Sequence, residues 1–417
     1  MQLYIDPGTG SMLFTVLVGV LGASIYGLRS LIMKMQFVLS GGKQEKHSEK
    51  SIPFAIYSDD KRYWTTFRPI CQEFERRKIP VTFMTSSPDD PALSEKFEYV
   101  TCQFIGEGNK GFAKLNMLQA DMFLATTPGL DVYQWKRSKD VKYYVHVLHA
   151  PTDATTYRLY GLDYYDAILL SGEYHIPQIR ELEQLRGLPE KELVITGVPY
   201  MDELYKRLQN TPPISGDHPT TVLLAPTWGA TGTLSRYGKR ILQALLDTGY
   251  HIIVRPHPQS FKSEKDLMDS LMAQFPESDQ LEWSREGDNF DVLNRADIMV
   301  SDFSGVIFDY SLVFGKPVLY ADIGYIKDPY DCYWLKDEIW MLRVLPQIGS
   351  PFKEENLENL KEVIDQKLNS ESLRSGIEQA RQESWANIGK SAEYTVDYLI
   401  KKRNDILKAE VTENGSV

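Results

Sequence analysis

Two short polar segments, each directly after a strand-like run, carry the residue types that bind anions. The first, Ser301-Asp302-Phe303-Ser304-Gly305-Val306-Ile307-Phe308-Asp309, opens a helix that has an apolar face. In it, Ser304 can cap the helix and Gly305 lets a ligand approach the backbone. The second, Arg255-Pro256-His257-Pro258, holds one imidazole between two prolines that fix the backbone. Together they predict a phosphate-binding cleft built from hydroxyls, helix N–H groups, an imidazole and a guanidinium.

Each of these residues also has a structural interpretation, and the sequence leaves both open. Asp302 either helps to bind an anion or closes a turn, and Arg255 either pairs with phosphate oxygens or with a neighbouring carboxylate. Thr227, in Ala225-Pro226-Thr227-Trp228-Gly229 after another strand-like run, either touches phosphate or merely ends the strand. Asp309 either meets a ligand hydroxyl or faces solvent.

A third strand-like run, 143–148, leads to two histidines. His149 follows the carboxyl end of this run, where a side chain faces the predicted cleft and an imidazole can act as a general base. His146 is interpreted as structural. A metal site is disfavoured, because no third ligand is near and an extended segment would point the two side chains in opposite directions. The chain also lacks Asp-x-Asp, so we predict metal-free diphosphate binding and no cofactor.

Alternating strand and helix patterns must position these residues. Short strand-like runs separated by helical ones predict parallel sheets covered on both faces. The segment 210–216, rich in Asn, Thr, Pro and Gly, is the strongest internal boundary. We therefore predict two doubly wound Rossmann-like α/β domains, 52–210 and 218–405, that face a cleft. Among the helices, single ones are expected over 234–246 and 306–313, and 357–400 is expected to be helical throughout.

Composition excludes some partners. A net charge of -11 and a pI near 5.3 argue against nucleic acid as the main partner, because that binding is driven by clustered Lys and Arg. Three widely spaced cysteines, Cys71, Cys102 and Cys332, indicate neither a disulfide framework nor a zinc site. A reduced, cytosolic setting fits the body of the chain.

The amino-terminal segment has a different character. Gly8 to Leu28 carries no charge, and as a helix it would span roughly 30 Å, the thickness of the hydrocarbon core. Basic residues follow this segment, whereas only Asp6 precedes it, so the positive-inside rule places the body in the cytoplasm. We predict a transmembrane or membrane-anchoring helix over 8–35, single-pass in the cytoplasmic membrane with the N terminus outside. The alternative is a helix that lies in the membrane interface or packs on the domain.

The motifs, taken in order, resemble those of the CDP-glycerol glycerophosphotransferases, the teichoic-acid primases and polymerases of bacterial envelopes. The resemblance rests on the three segments 225–228, 255–258 and 301–309, on Lys316-Pro317-Val318-Leu319-Tyr320, and on Thr196-Gly197-Val198-Pro199-Tyr200-Met201-Asp202. It implies a metal-independent glycosyltransferase fold of the two-domain B type, with the CDP moiety in the second domain. The residues that would meet the diphosphate are His257, Ser301, Asp302, Ser304 and Gly305.

The same resemblance implies a reaction. The protein would move glycerol phosphate, or a related alditol phosphate, from a CDP-activated donor to a hydroxyl of a cell-envelope glycan or lipid-linked acceptor, and release CMP. His149 and His257 would be catalytic, although Leu148-His149-Ala150-Pro151 replaces the family's Trp-His-Gly-Thr. Two alternatives stay open: a nucleotide-sugar-dependent glycosyltransferase of the same fold, and a non-catalytic, membrane-tethered nucleotide-binding scaffold.

Overall fold

A computed structural model describes residues 51–214, 218–285 and 287–414. The membrane helix predicted over 8–35 lies outside the described residues. Within the described ranges, no helix is long and apolar enough to cross a membrane.

The first lobe is built on a seven-stranded parallel sheet. Its strands are β1 (Ile52–Ser58), β2 (Val81–Thr85), β3 (Val100–Phe104), β4 (Ala120–Ala125), β5 (Val141–Val147), β6 (Ala167–Leu170) and β7 (Glu192–Ile195). Its helices are α1 (Trp64–Arg76), α2 (Asn109–Leu115) and α3 (His175–Arg186), with 3₁₀ turns at Lys61–Tyr63, Pro91–Ser94 and Ala154–Thr156. Helix α4 (Pro199–Asn210) leads on to the second lobe. The central strands β4 and β6 are buried along their whole length, as expected for a sheet covered on both faces.

The second lobe repeats this plan on a six-stranded parallel sheet. Its strands are β8 (Thr221–Leu224), β9 (His251–Val254), β10 (Leu281–Trp283), β11 (Ile298–Ser301), β12 (Val318–Ala321) and β13 (Gly349–Phe352). Its first helices are α5 (Thr233–Tyr237), α6 (Lys239–Asp247), α7 (Ser260–Ser263), α8 (Lys265–Gln274), α9 (Phe290–Arg295) and α10 (Val306–Phe308), and a π-helical turn (Asp309–Val313) continues α10. The remaining helices are α11 (Trp340–Ile348), α12 (Leu360–Leu368), α13 (Glu371–Ser384) and α14 (Ser391–Asn414), with 3₁₀ turns at Asp331–Trp334 and Glu354–Asn359.

Both sheets are doubly wound. The strand orders are β3-β2-β1-β4-β5-β6-β7 and β10-β9-β8-β11-β12-β13, so each order reverses beside its first strand. At these reversals β1 pairs with β4 and β8 pairs with β11, and the loops that follow the paired strands diverge to leave a crevice. This confirms the prediction of two doubly wound Rossmann-like domains.

The two chain passages between the lobes meet at one place. The Asp202 carboxylate, on α4, accepts hydrogen bonds from Trp385 Nε1 (2.9 Å) and from the backbone N–H groups of Gly389 (2.9 Å) and Ser391 (2.8 Å), in the turn before α14. From this turn α14 returns to the first lobe, where it packs on α1. Gly197 precedes α4 with φ +95°, and an added Cβ would lie 2.3 Å from Ser391 Oγ. The Gly-x-Pro-x-x-Asp motif therefore holds the crossover together.

The lobes also exchange carboxylates. Asp153, in the first lobe, accepts from the backbone N–H groups of Trp340 and Met341 at the start of α11, both at 2.8 Å. In return Asp331, in the second lobe, accepts from the backbone N–H groups of Tyr160 (2.8 Å) and Gly161 (3.1 Å). Both carboxylates are buried, at 1% and 2% exposed. Buried carboxylates are stable only when hydrogen bonded, so each lobe depends on the other to satisfy one of them.

Candidate active site

The loops after β8 and β11 are joined by Asp302. Its carboxylate accepts from the backbone N–H groups of Thr227 and Thr233 and from the Thr233 hydroxyl, each at 2.9 Å. The side chain is completely buried, and burial raises its pKa while these hydrogen bonds oppose the rise. In the structure, Asp302 thus shapes the wall of the cleft, and Thr227 is half-buried beside it.

Of the two predicted serines, only Ser304 has a hydroxyl left for a ligand. The Ser301 hydroxyl is buried and donates to the Ala225 carbonyl at 2.6 Å. The expectation that Ser304 caps the helix is wrong, because Gly305 is the N-cap residue and no side chain caps it. In the described part of the chain, the Ser304 hydroxyl makes no hydrogen bond, and the N–H groups of Gly305 and Val306 have no acceptor. Together these groups form a small set of donors for an anion.

His257 presents a proton to the cleft. The backbone N–H of Gln259 donates to His257 Nδ1 at 3.1 Å, so the neutral ring carries its proton on Nε2. Burial and, next, the Arg62 charge lower the pKa of this half-buried imidazole, which keeps it neutral. A neutral ring with an Nε2–H can donate a hydrogen bond to a phosphate oxygen. The exposed Trp228 ring lies 6.4 Å from the imidazole, centroid to centroid.

Arg255 and Asp309, in the segments after β9 and β11, both act electrostatically on Tyr200. Arg255 Nη1 donates to Ser284 Oγ at 2.9 Å, in the loop after β10. Asp309 is only 8% exposed, its Oδ1 has no hydrogen-bond partner among the described residues, and burial raises its pKa to about 8. The hydroxyl of the half-buried Tyr200 donates to Asn289 Oδ1 at 3.0 Å. Asp309 therefore does not face solvent, and its unsatisfied oxygen is suited to accept from a ligand hydroxyl.

In the first lobe, His149 follows β5 directly. Its Nδ1 is 3.0 Å from the Thr126 hydroxyl, at the end of the neighbouring β4, and its ring packs 4.9 Å from the Tyr63 ring. Among the described residues, both hydrogen bonds of its ring go to Nδ1, and the side chain is half-buried, which leaves Nε2 available to a ligand. Burial, with a smaller contribution from the Arg62 charge, lowers the pKa of His149 to about 4. The ring is therefore neutral at physiological pH, as a general base must be.

The site residues of the two lobes face each other. A Cβ added to Gly305 would lie 3.8 Å from Thr152 Cγ2, which places the start of α10 against the loop that follows His149. Arg62, after β1, lowers the pKa of both His149 and His257, so its charge acts on both sides of the gap. The structure thus brings together His149, His257, Thr227, Ser304 and Gly305 at facing edges, with Ser301 and Asp302 directly behind them.

Sequence reasoning missed the contribution of β1 and β4 to this site. Arg62 and Tyr63 belong to Ser58-Asp59-Asp60-Lys61-Arg62-Tyr63, a polar run directly after a predicted strand, which is the signal that identified the other loops. In this run, the Asp59 carboxylate accepts from the Thr127 hydroxyl at 2.7 Å.

Among the described residues, no group of three or more His, Cys, Asp or Glu side chains could hold a metal ion.

Comparison with known proteins agrees with this architecture. A wall teichoic acid polymerase, TagF, in a structure with CDPG, aligns with a TM-score of 0.55 at 14% identity, over 92% of this chain and 99% of that one. The UDP-GlcNAc 2-epimerase of Methanocaldococcus jannaschii, in complex with UDP-GlcNAc and UDP, aligns with a TM-score of 0.53 at 14% identity, over 84% and 100%. At such identities the likeness shows the fold alone, and it supports the glycosyltransferase B type of arrangement.

Sequence comparison points to the family itself. No curated protein sequence matches the chain. Residues 145–331 match the model of the CDP-glycerol:poly(glycerophosphate) glycerophosphotransferases. This range includes His149, the Gly-x-Pro-x-x-Asp motif at the crossover and all the second-lobe segments of the site. Over residues 145–331 this chain is therefore similar to the CDP-glycerol:poly(glycerophosphate) glycerophosphotransferases, the family that its motifs resemble.

Proposed function

We propose that this protein is a membrane-anchored transferase that moves glycerol phosphate, or a related alditol phosphate, from a CDP-activated donor to a hydroxyl of a cell-envelope glycan or lipid-linked acceptor. The observation that carries the proposal is the apposition of Gly305 and Thr152, since it sets a neutral imidazole opposite a group of anion donors. The family match and the TagF likeness support glycerol phosphate as the transferred group.

In the proposed reaction, His149 Nε2 takes the proton of the acceptor hydroxyl as its oxygen attacks the β-phosphorus of the donor. A new P–O bond forms to the acceptor, and the bond between the β-phosphorus and the bridging oxygen breaks. CMP leaves with the electron pair of that bond. The His257 Nε2–H, the Ser304 hydroxyl and the N–H groups at Gly305 and Val306 would stabilise the charge that grows on the leaving phosphate.

The test is CMP release by the full-length protein supplied with CDP-glycerol and synthetic acceptors: a glycan, a lipid-linked glycan and a glycerol phosphate oligomer. We expect CMP release that depends on an acceptor, and its loss in His149→Ala and His257→Ala variants that melt like the wild type. His251→Ala is the matched control, because His251 begins β9, at the end of that strand away from the cleft. Near-normal transfer in both site variants would contradict the proposal.

The same assay separates the alternatives. The epimerase neighbour binds UDP-GlcNAc, which favours a nucleotide sugar as the second candidate donor. Attack at the anomeric carbon of such a donor would release UDP instead of CMP. A nucleotide-binding scaffold would bind the CDP ligand and release neither product.

The membrane part of the proposal is supported by sequence. The uncharged stretch from Gly8 to Leu28 and the basic residues after it favour a single span, with the body on the cytoplasmic side of the membrane. We expect the full chain to resist extraction by alkaline carbonate, to need detergent for release, and to be cleaved in the body by protease only from the cytoplasmic side. Release by carbonate alone would contradict a span.

A further inference from the structure

The segment 322–338, which we call the strap, follows β12 at the cleft end of the second sheet and crosses onto the first lobe. The backbone N–H of its Asp331 donates to the Tyr157 carbonyl at 2.9 Å, and its Tyr330 pairs with Arg158 in an isolated antiparallel bridge. Both partners belong to the loop between β5 and β6. The strap is therefore a surface that both lobes hold in place.

The strap adjoins both edges of the cleft. On the side of the second lobe, its Tyr325 ring makes a T-shaped contact at 5.5 Å with Phe303, the residue directly before Ser304. On the side of the first lobe, the hydroxyl of Tyr157, whose carbonyl binds the strap, lies 3.5 Å from His149 Nδ1. A molecule that extends from His149 out of the cleft can therefore continue along the strap.

Large apolar side chains of this region are open to solvent. Ile326, Tyr333 and Trp334, on the strap, are each more than half exposed, and the rings of Tyr333 and Trp334 meet in a T-shaped contact at 5.8 Å. Tyr160, from the first lobe, is 45% exposed, and its backbone N–H donates to the Asp331 carboxylate, which places it beside the strap. We call these four exposed residues the exposed patch. Single exposed apolar residues are common, but a group of them beside a cleft marks a binding surface.

Charge decides which partner suits the exposed patch. The strap carries five acidic residues and two lysines, and one of these lysines, Lys327, is paired with Glu338 at 2.6 Å. Asp328 and Asp337 are exposed, and the exposed Arg158 beside the strap does not reverse the balance. An acidic surface repels a phosphate polymer and anionic lipid headgroups. Aromatic rings, in contrast, pack on the apolar C–H faces of sugars, and carboxylates accept hydrogen bonds from sugar hydroxyls, so the exposed patch suits an uncharged glycan.

We propose that the exposed patch is a binding subsite for an uncharged glycan, the part of the acceptor that lies beyond the reacting hydroxyl. The inference rests on the proposed function, because that function supplies the acceptor. It narrows the acceptor to a molecule that carries uncharged sugar units next to the hydroxyl that reacts. Glycan binding itself needs neither the CDP-activated donor nor His149, so the subsite can be tested apart from the reaction.

The direct test is binding of three kinds of probe to the full-length protein in detergent, without donor: uncharged oligosaccharides of hexoses and N-acetylhexosamines, a glycerol phosphate oligomer, and vesicles that contain phosphatidylglycerol. We expect the wild type to bind at least one of the uncharged oligosaccharides. The double variant Tyr333→Ser/Trp334→Ser should lose about tenfold or more of this affinity, as expected when two packed rings are removed from a binding surface, at an unchanged Tm. Trp334→Phe, which keeps an aromatic face, should retain most of the affinity.

Tyr394→Ser is the matched control, because Tyr394 is as exposed as Tyr160 but lies on α14, the helix that packs on α1. It should leave glycan binding unchanged. Three results would overturn the proposal: a wild type that binds none of the oligosaccharides, a double variant with unchanged glycan affinity, or a double variant that instead loses binding to the glycerol phosphate oligomer or to the vesicles.

Kinetics connect the subsite to the acceptor. With CDP-glycerol and a lipid-linked glycan as substrates, the double variant should raise KM for the glycan by about tenfold and leave KM for CDP-glycerol unchanged. A raised KM for CDP-glycerol alone would refute an acceptor subsite. If glycan binding depends on Tyr333 and Trp334 while His149→Ala and His257→Ala retain near-normal CMP release, the proposed function would fail and the glycan subsite would stand.

Discussion

Gly305→Ala separates the folding role of the site from its binding role. Gly305 has φ -58° and ψ -25°, which alanine adopts without strain, and the new methyl group would meet only Thr152 Cγ2, at an ordinary contact distance of 3.8 Å. Alanine is a poorer N-cap residue than glycine but restricts the unfolded chain more, and these effects of about 0.5 to 1 kcal/mol oppose each other. The free energy of unfolding should therefore change by less than about 1 kcal/mol.

Binding should respond much more strongly. The methyl group would occupy the approach to the N–H groups of Gly305 and Val306 and hinder one or two charge-assisted hydrogen bonds to the diphosphate. At about 1.5 to 3 kcal/mol each, their loss weakens CDP-glycerol binding by roughly ten- to a hundredfold or more. Titration calorimetry and thermal unfolding on the same samples measure both quantities. Gly197→Ala should show the opposite pattern, because its φ of +95° and its 2.3 Å contact with Ser391 Oγ cost stability far from the ligand. Unchanged CDP-glycerol affinity in a stable Gly305→Ala protein would refute the anion-binding interpretation.

Three further predictions concern charge. Burial lowers the pKa values of His149 and His175 to about 4 and about 3, below the unfolded value of 6.5. The stability that their neutral forms contribute is therefore present above pH 6.5 and is lost as pH falls toward 4. Urea unfolding across this range should show the loss, and His175→Gln should reduce it. Arg62→Gln should raise the pKa of both His149 and His257, measured by NMR titration, and raise KM for CDP-glycerol, whereas unchanged pKa values would exclude a cleft-facing charge. Asp202→Asn places an amide among three N–H donors and should destabilise the protein by about 2 to 4 kcal/mol, measured as a lower Tm. Asp247→Asn is the control and should leave the Tm unchanged, because it affects only an exposed hydrogen bond from Gln243.

The sequence predicts the core of the fold well and its edges poorly. Strands such as β4, β6 and β11 can be predicted from their runs of apolar residues, because a strand buried on both faces is apolar throughout. The strands that the sequence pattern does not indicate, β7, β10 and β13, lie at sheet edges or are very short, and β13 is only Gly-Ser-Pro-Phe. Their pairing partner, and not their own composition, makes them strands.

Backbone breaks account for the errors in helix prediction. The single helix predicted over 234–246 is wrong, because Gly238 adopts φ +51° and divides it into α5 and α6. The continuous helix predicted over 357–400 is also wrong: positive φ at Asn387 and Gly389 marks the crossover turn, and a further break separates α12 from α13. Helical periodicity continues across such breaks and does not reveal them.

For the site, the sequence indicates which loops meet but not which side chains remain available. Ser301 and Asp302 use their polar atoms on partners 69 to 76 residues away, between the end of β8 and the start of α5. Such long-range hydrogen bonds leave no trace in local spacing. The same limit hides the contacts of His149 with Thr126 and Tyr63, because these two residues follow β4 and β1.

Asp153 and Asp331, the carboxylates exchanged between the lobes, affect the free energy of ligand binding. Separation of the lobes at this contact would remove two backbone donors from each of Asp153 and Asp331, and a hydrogen bond to a charged group contributes about 1.5 to 3 kcal/mol. The gap between the edge that carries His149 and the edge that carries Gly305 is therefore set before any substrate arrives. In the proposed reaction, a donor nucleotide would meet an acceptor edge that is already in place, so its binding free energy would not be used to bring two mobile lobes together.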